Sequence, residues 1–272
     1  MTQQPPERED RGRGLVAFIP GTWMHDSSWE PWQSLFDRNG YDSLVIASAG
    51  RAGITQGADV RRNKARGITF KSLLRVCTGA LSQLAEPPIL IGHGSGALLA
   101  QVLLDRRGVA SAAIALSPAR AGWVSKTALL GFGRTAVTLS RLALPGRSGI
   151  SQAAFVQSYA NTRPVAEAAD LYRRYVTAGS CRPLLQAAYT LQAPGRPGSP
   201  TDRPPLLLVS GGKDRLTPEA TARSWERYGR RRHPDSVTDH HVFPDRGHSL
   251  TVDRGAEDVA NFCLDWLSSQ DL

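Results

Sequence analysis

Cysteine is scarce in this chain: Cys77, Cys181 and Cys263 are its three, too widely spaced for a disulfide framework or a CxxC metal site. Cys77 and Cys263 sit among apolar residues in predicted helices and read as core. Long apolar runs are missing too. None approaches the ~18 residues that a membrane span needs, and the opening MTQQPPEREDRGRG lacks the apolar stretch of a secretory signal. Acidic residues are outnumbered, 24 against 33 Lys and Arg, for a net charge of +9. Such an excess is one mark of a nucleic-acid binder. The arginines are scattered, however, without aromatic interleaving or a binding motif, so nucleic acid is not an expected partner. No internal repeat is evident, and nothing calls for a metal or a cofactor. The expectation is a soluble, cytoplasmic protein acting on a small molecule away from membranes, with a homodimer left open.

What is present is a succession of short apolar runs. Residues 1–13 are polar and proline-bearing and read as a disordered lead. Strands are predicted at 15–19, 43–47, 89–93, 112–116 and 206–210, with a last short one at 242–243. Helices are predicted from about Trp29 to Asn39, over 70–84, after Gly94, over 217–229 and over 255–268. Strands alternating with helices imply parallel βαβ units. Between 118 and 204 the strand signal disappears, and helical patterns run through 124–142, 152–160, 165–177 and 182–191. A core of 14–117 plus 205–270 with an inserted helical cap, 118–204, is the expected organisation. Residues 49–68 form a basic, glycine-punctuated loop that reads as solvated surface.

The stretch Ile89-Leu90-Ile91-Gly92-His93-Gly94-Ser95-Gly96-Ala97-Leu98-Leu99 reads as a buried strand, a tight glycine turn and a small-residue helix. Two polar residues lie at comparable strand ends further on. Asp214 follows the strand 206–210 through Gly211-Gly212-Lys213, and His248 follows the last strand in Pro244-Asp245-Arg246-Gly247-His248-Ser249. Open parallel sheets place their sites outside the carboxyl ends of the strands. An acid there can fix one tautomer of a histidine and stabilise its imidazolium. His25, His233, His240 and His241 read as surface residues.

These pieces together resemble the α/β-hydrolase superfamily over about 14–270, through PGTWMHDSSWEPW, LIGHGSGALLAQ, LLLVSGGKD and FPDRGHSLTVD. The resemblance implies an α/β-hydrolase fold, a mostly parallel central sheet flanked by helices with a helical cap. The strand–turn–helix would be its nucleophile elbow, G-x-S-x-G, followed in chain order by Asp and His. Gly92 and Gly96 keep the outer positions, and Gly94 stands at the centre where the family has Ser, Asp or Cys. Glycine has no group to attack with, which removes a covalent intermediate from that position. Ser95 is a serine one residue late. The oxyanion donors implied are the amide of Ser95, at a helix start, and that of Thr22 or Trp23, in a loop where Pro20 replaces the usual histidine. Trp23, Trp123, Tyr159 and Tyr189 are the candidate pocket residues.

The expected activity is therefore that of an atypical hydrolase in which His248, oriented by Asp214, acts as general base with no elbow serine. It would hydrolyse an ester, lactone or epoxide without a covalent step, or start a cyclisation or rearrangement. The expected substrate is a small apolar oxygenated metabolite of natural-product biosynthesis. A ligand- or partner-binding pseudoenzyme and a serine ester hydrolase using Ser95 are the alternatives.

Overall fold

The computed structural model describes residues 12–46, 70–119, 149–177 and 202–272. The expected lead before residue 12, the basic loop 49–68, the helices 124–142 and 182–191, Cys181, Trp123 and Tyr189 lie outside the described residues.

Apolar runs become strands where both faces can be buried. In chain order these are β1 (Gly14–Ile19), β2 (Tyr41–Val45), β3 (Ile89–His93), β4 (Ala112–Leu116), β5 (Leu206–Gly211) and β6 (Thr238–Phe243). Among the described residues they form one parallel sheet of order β2-β1-β3-β4-β5-β6. Alternate residues of each strand feed opposite layers. Ala17, Ile19, Leu90, Ala113, Ala115 and Leu208 face one layer; Val16, Phe18, Ile91, Ile114, Leu207 and Val209 face the other. The first layer is closed by α2 (Phe70–Leu81), α3 (Ser95–Leu104) and Trp225 of α6 (Glu219–Arg232). The second is closed by α1 (Glu30–Arg38) and α7 (Ala256–Ser269). Phe18, Trp29, Trp32 and Phe36 stack edge and face there, with Phe18 and Trp29 centroids 4.8 Å apart. The sequence-predicted cores Cys77 and Cys263 are both buried, and burial raises the Cys77 thiol to about 12.

Two strands differ from the sequence reading. β6 starts four residues before the predicted 242, because Thr238, Asp239, His240 and His241 give an edge strand no apolar signature. β2 begins at Tyr41, two residues early, in register with Gly14.

The segment 149–177 crosses the carboxyl edge of the sheet. Its helix α4 (Gln152–Ala154) widens into a π-turn over Phe155–Tyr159, and α5 (Val165–Tyr175) follows. Ile150, Phe155, Tyr159, Ala168 and Leu171 pack with Trp23, Met24 and Leu216 from the loops after β1 and β5. Backbone bonds fasten the two: His25 N donates to Tyr175 O at 2.8 Å, Thr177 N to Trp23 O at 2.8 Å, and Met24 bridges Val176.

Candidate active site

After β3 the chain turns at Gly94 with φ 56° and ψ −111°, a conformation in which a side chain is strained and glycine is not. Its N–H donates to Leu116 O at 2.9 Å, and its carbonyl accepts from Leu98 and Ala119. Next to it α3 approaches β1 so closely that a Cβ on Gly96 would lie 2.1 Å from Ile19 O. A Cβ built on Gly94 meets something quite different: His248 Nε2 at 3.5 Å. Position 94 thus faces the imidazole, with no side chain of its own.

The loops after β5 and β6 are bound to each other. Gly212 N donates to Phe243 O and Lys213 N to Arg246 O, each at 2.9 Å. This brings Asp214 and His248 together, Nδ1 to Oδ2 2.8 Å, both buried. Asp214 is held from every side. Oδ1 accepts from the amides of Leu216 and Thr217, while Oδ2 accepts from Ser117 Oγ and Thr217 Oγ1 as well as His248, all at 2.8 Å. Burial alone would raise the carboxyl pKa; the charge and hydrogen bond of His248, with those of Thr217 and Ser117, outweigh it and hold Asp214 below the ordinary value. The carboxylate can only accept, so His248 carries its proton on Nδ1 and turns the Nε2 lone pair toward position 94. Ser117 and Thr217 were not singled out from the sequence. Ser117 lies at a strand end with φ 44°, and Thr217 three residues beyond Asp214, an acceptor-plus-turn spacing that could have flagged it.

His93 is structural in its contacts. Its Nε2 donates to His248 O at 2.9 Å, leaving Nδ1 to accept from Tyr159 OH at 3.2 Å. The two histidine rings lie 4.6 Å apart. Burial, then the neighbouring His248, push the His93 pKa down to about 3, so it stays neutral. Tyr159, predicted as a pocket residue, comes over the pair with its ring edge-on to His248, 4.7 Å between centroids. Its hydroxyl is engaged by His93, and burial keeps its pKa well above the usual phenol range.

Two sequence expectations change at the elbow. Ser95, weighed as an alternative nucleophile, turns its Oγ to Thr22 and makes no hydrogen bond to His248 among the described residues. Its place at the first position of α3 aims it at the loop after β1. The Thr22 amide, expected with that of Trp23 as one of two alternative oxyanion donors in the loop after β1, donates to that same Oγ at 2.8 Å. Trp23 is buried against the 149–177 segment and takes φ 72° to do so.

The surface histidines are also corrected in part. His233 is buried at the opposite edge, Nε2 3.4 Å from Asp105 Oδ1, with Arg203 Nε 3.8 Å from the same oxygen. The side chain of His240 is covered between Ser210 and Glu226, Nε2 lying 2.6 Å from Ser210 Oγ. Their partners are remote in sequence, so nothing local signalled the burial.

A parallel sheet with a glycine-flanked turn after β3, an acid after β5 and a histidine after β6 defines the α/β-hydrolase class. Residues 16–262 match the Alpha/beta hydrolase family, and the chain belongs to it. Solved structures agree on the fold. BpoC of Mycobacterium tuberculosis H37Rv is 18% identical, with 94% of this chain and 92% of that one covered at TM-score 0.65. A mutant form of polyneuridine aldehyde esterase is 14% identical over 93% of this chain and 98% of its own, TM-score 0.64. A monoacylglycerol lipase of Paleococcus ferrophilus is 16% identical over 95% of each chain, TM-score 0.63. No curated protein matches the sequence. Among the described residues no helix is long and apolar enough to cross a membrane, and no cluster of His, Cys, Asp or Glu could hold a metal ion.

Proposed function

We propose that this chain is an enzyme in which His248, oriented by Asp214, is a general base that works without a covalent nucleophile. One observation carries the reading: a Cβ on Gly94 would sit 3.5 Å from His248 Nε2, so the basic nitrogen faces a position that bears no hydroxyl. A water, or an acidic X–H of the substrate, held there would lie within reach of the lone pair. Removing its proton activates water against an ester, lactone or epoxide, or starts a cyclisation or rearrangement. The imidazolium formed would be stabilised by the ionised Asp214. General-base assistance of this kind is worth ~10²–10⁴ in rate. The apolar side chains Trp23, Phe155 and Leu216 that pack near the site favour a small, largely apolar oxygenated metabolite, such as those tailored in natural-product biosynthesis.

A panel of p-nitrophenyl esters, a lactone and an aryl epoxide tests the reading, with intact mass recorded during turnover. The expected result is turnover that His248→Ala abolishes and no acylated protein at any time. A stoichiometric adduct on Ser95 with a serine-reactive phosphonate, lost in His248→Ala, would restore ordinary serine hydrolysis. Ligand binding without turnover on any of them, unchanged by His248→Ala, would favour the pseudoenzyme.

A further inference from the structure

The contact between Thr22 and Ser95 reaches further than the loss of a nucleophile. Thr22 N donates to Ser95 Oγ at 2.8 Å, and Thr22 Oγ1 lies 2.8 Å from the same atom. In an acyl-transferring member of this class, the loop after β1 and the residue after the elbow centre would each aim an amide at the substrate's carbonyl oxygen. Here those residues are Thr22 and Ser95. The first of the two amides already holds an oxygen, and that oxygen belongs to the chain.

We propose that the Ser95 hydroxyl occupies the oxyanion position and is the specificity-determining residue of the site. The proposal rests on reading His248 as the base that faces position 94. Three consequences follow from counting donors. A carbonyl oxygen cannot take the Thr22 amide while Ser95 Oγ is on it, so a developing oxyanion loses a donor of the kind worth ~10²–10³ in rate. The two hydroxyls carry two protons and share one mutual hydrogen bond, which leaves one O–H over. Neither Thr22 nor Ser95 has a further side-chain partner among the described residues, so that proton is available to a ligand.

The site therefore presents the Ser95 amide and one neutral hydroxyl donor beside a buried base, in place of two amides beside a serine. Such a pairing suits a substrate whose ether, epoxide or unreacting carbonyl oxygen accepts a single hydrogen bond while His248 takes a proton. It narrows the classes proposed above, favouring epoxide opening, cyclisation or rearrangement over hydrolysis of esters, lactones and thioesters, which passes through a tetrahedral oxyanion. The order Gly94-Ser95 does this with two small residues. The hydroxyl that would attack from position 94 is moved to the start of α3, where it fills the receptor for the product of that attack.

The experiment has two arms. In the first, amide hydrogen exchange of Thr22 is followed by NMR in the wild type and in Ser95→Ala. The expected result is a rise of about tenfold or more at Thr22 with Leu98 and Val209 unchanged; an unchanged Thr22 rate overturns the proposal. In the second, an alkyl p-nitrophenyl phosphonate is reacted with Gly94→Ser and with Gly94→Ser/Ser95→Gly. Labelling of residue 94 is expected in both, about tenfold or more faster in the double variant because the Thr22 amide is released. Equal rates overturn the assignment of Ser95 to the oxyanion position. If neither variant labels while Thr22 exchange rises in Ser95→Ala, it is the role of His248 as base that fails, and the Ser95 assignment stands on its own measurement.

Discussion

Two histidine–aspartate pairs with buried histidines stand at opposite edges of one sheet, and their surroundings differ. At the carboxyl edge His248 and Asp214 are 2.8 Å apart, the acid takes four further donors, and Nε2 faces a glycine. At the amino edge His233 Nε2 and Asp105 are 3.4 Å apart, beside Arg203 and packed among Gln101, Leu104 and Tyr228. Asp105 and His233 are the residues that end α3 and α6, so their meeting follows from the return of two helices to the same edge. The residue types are the same. What differs is that His248 turns its second nitrogen to a glycine, and that an arginine already stands beside the acid of the other pair.

The sharpest way to break this contrast is kinetic. In the Gly94→Ser background, Asp214→Asn is expected to slow phosphonate labelling by about 10²–10⁴, since the imidazole loses its tautomer and its counter-charge. Asp105→Asn in the same background should leave the rate within about twofold, as distant sites rarely couple. Comparable losses would erase the distinction. Asp105→Asn leaves the buried Arg203 side chain without its carboxylate, and chemical denaturation should register a loss of about 3 kcal/mol.

Acid should act on the carboxyl edge through two groups. His93 titrates at about 3 when folded and near ~6.5 when unfolded, so the unfolded chain binds more protons between those values. Stability from this source is complete above about pH 6.5 and falls as the pH drops toward 3. Asp214, held below the ordinary carboxylate value, adds a loss at the acid end as the pH falls through its folded pKa. Thermal melts from pH 7 to 3 should show a steeper decline for the wild type than for His93→Gln. Parallel declines would show that His93 protonates in the folded state. The smallest effect is expected from Tyr159→Phe, which removes one hydrogen bond to a neutral ring and should cost about 1 kcal/mol by urea titration.

Much of the carboxyl edge was legible because its signals are local. Gly92, Gly94 and Gly96 at fixed spacing, and Asp214 and His248 directly after apolar runs, are patterns within a few residues. The contacts that give these residues their roles span long separations. Ser95 meets Thr22 across 73 positions and His93 meets the His248 carbonyl across 155, and neither is encoded near either partner. The amino-edge pair was illegible for the same reason: Asp105 and His233 each look like a polar residue at a helix end. β6 escaped in part because an edge strand need bury only one face, and its Asp239 and His241 supply no run to detect.

The fastening between the loop after β1 and the 149–177 segment uses main-chain groups: His25 N to Tyr175 O, Thr177 N to Trp23 O, and the Met24–Val176 bridge. Main-chain attachment is indifferent to which side chains are carried there. Apolar residues of other shapes at positions 24, 175 and 176 can therefore be accommodated while these main-chain bonds keep the segment in place. Position and selectivity are set separately in such an architecture: the main chain holds the 149–177 segment beside the site, and the side chains it carries there decide what the site accepts.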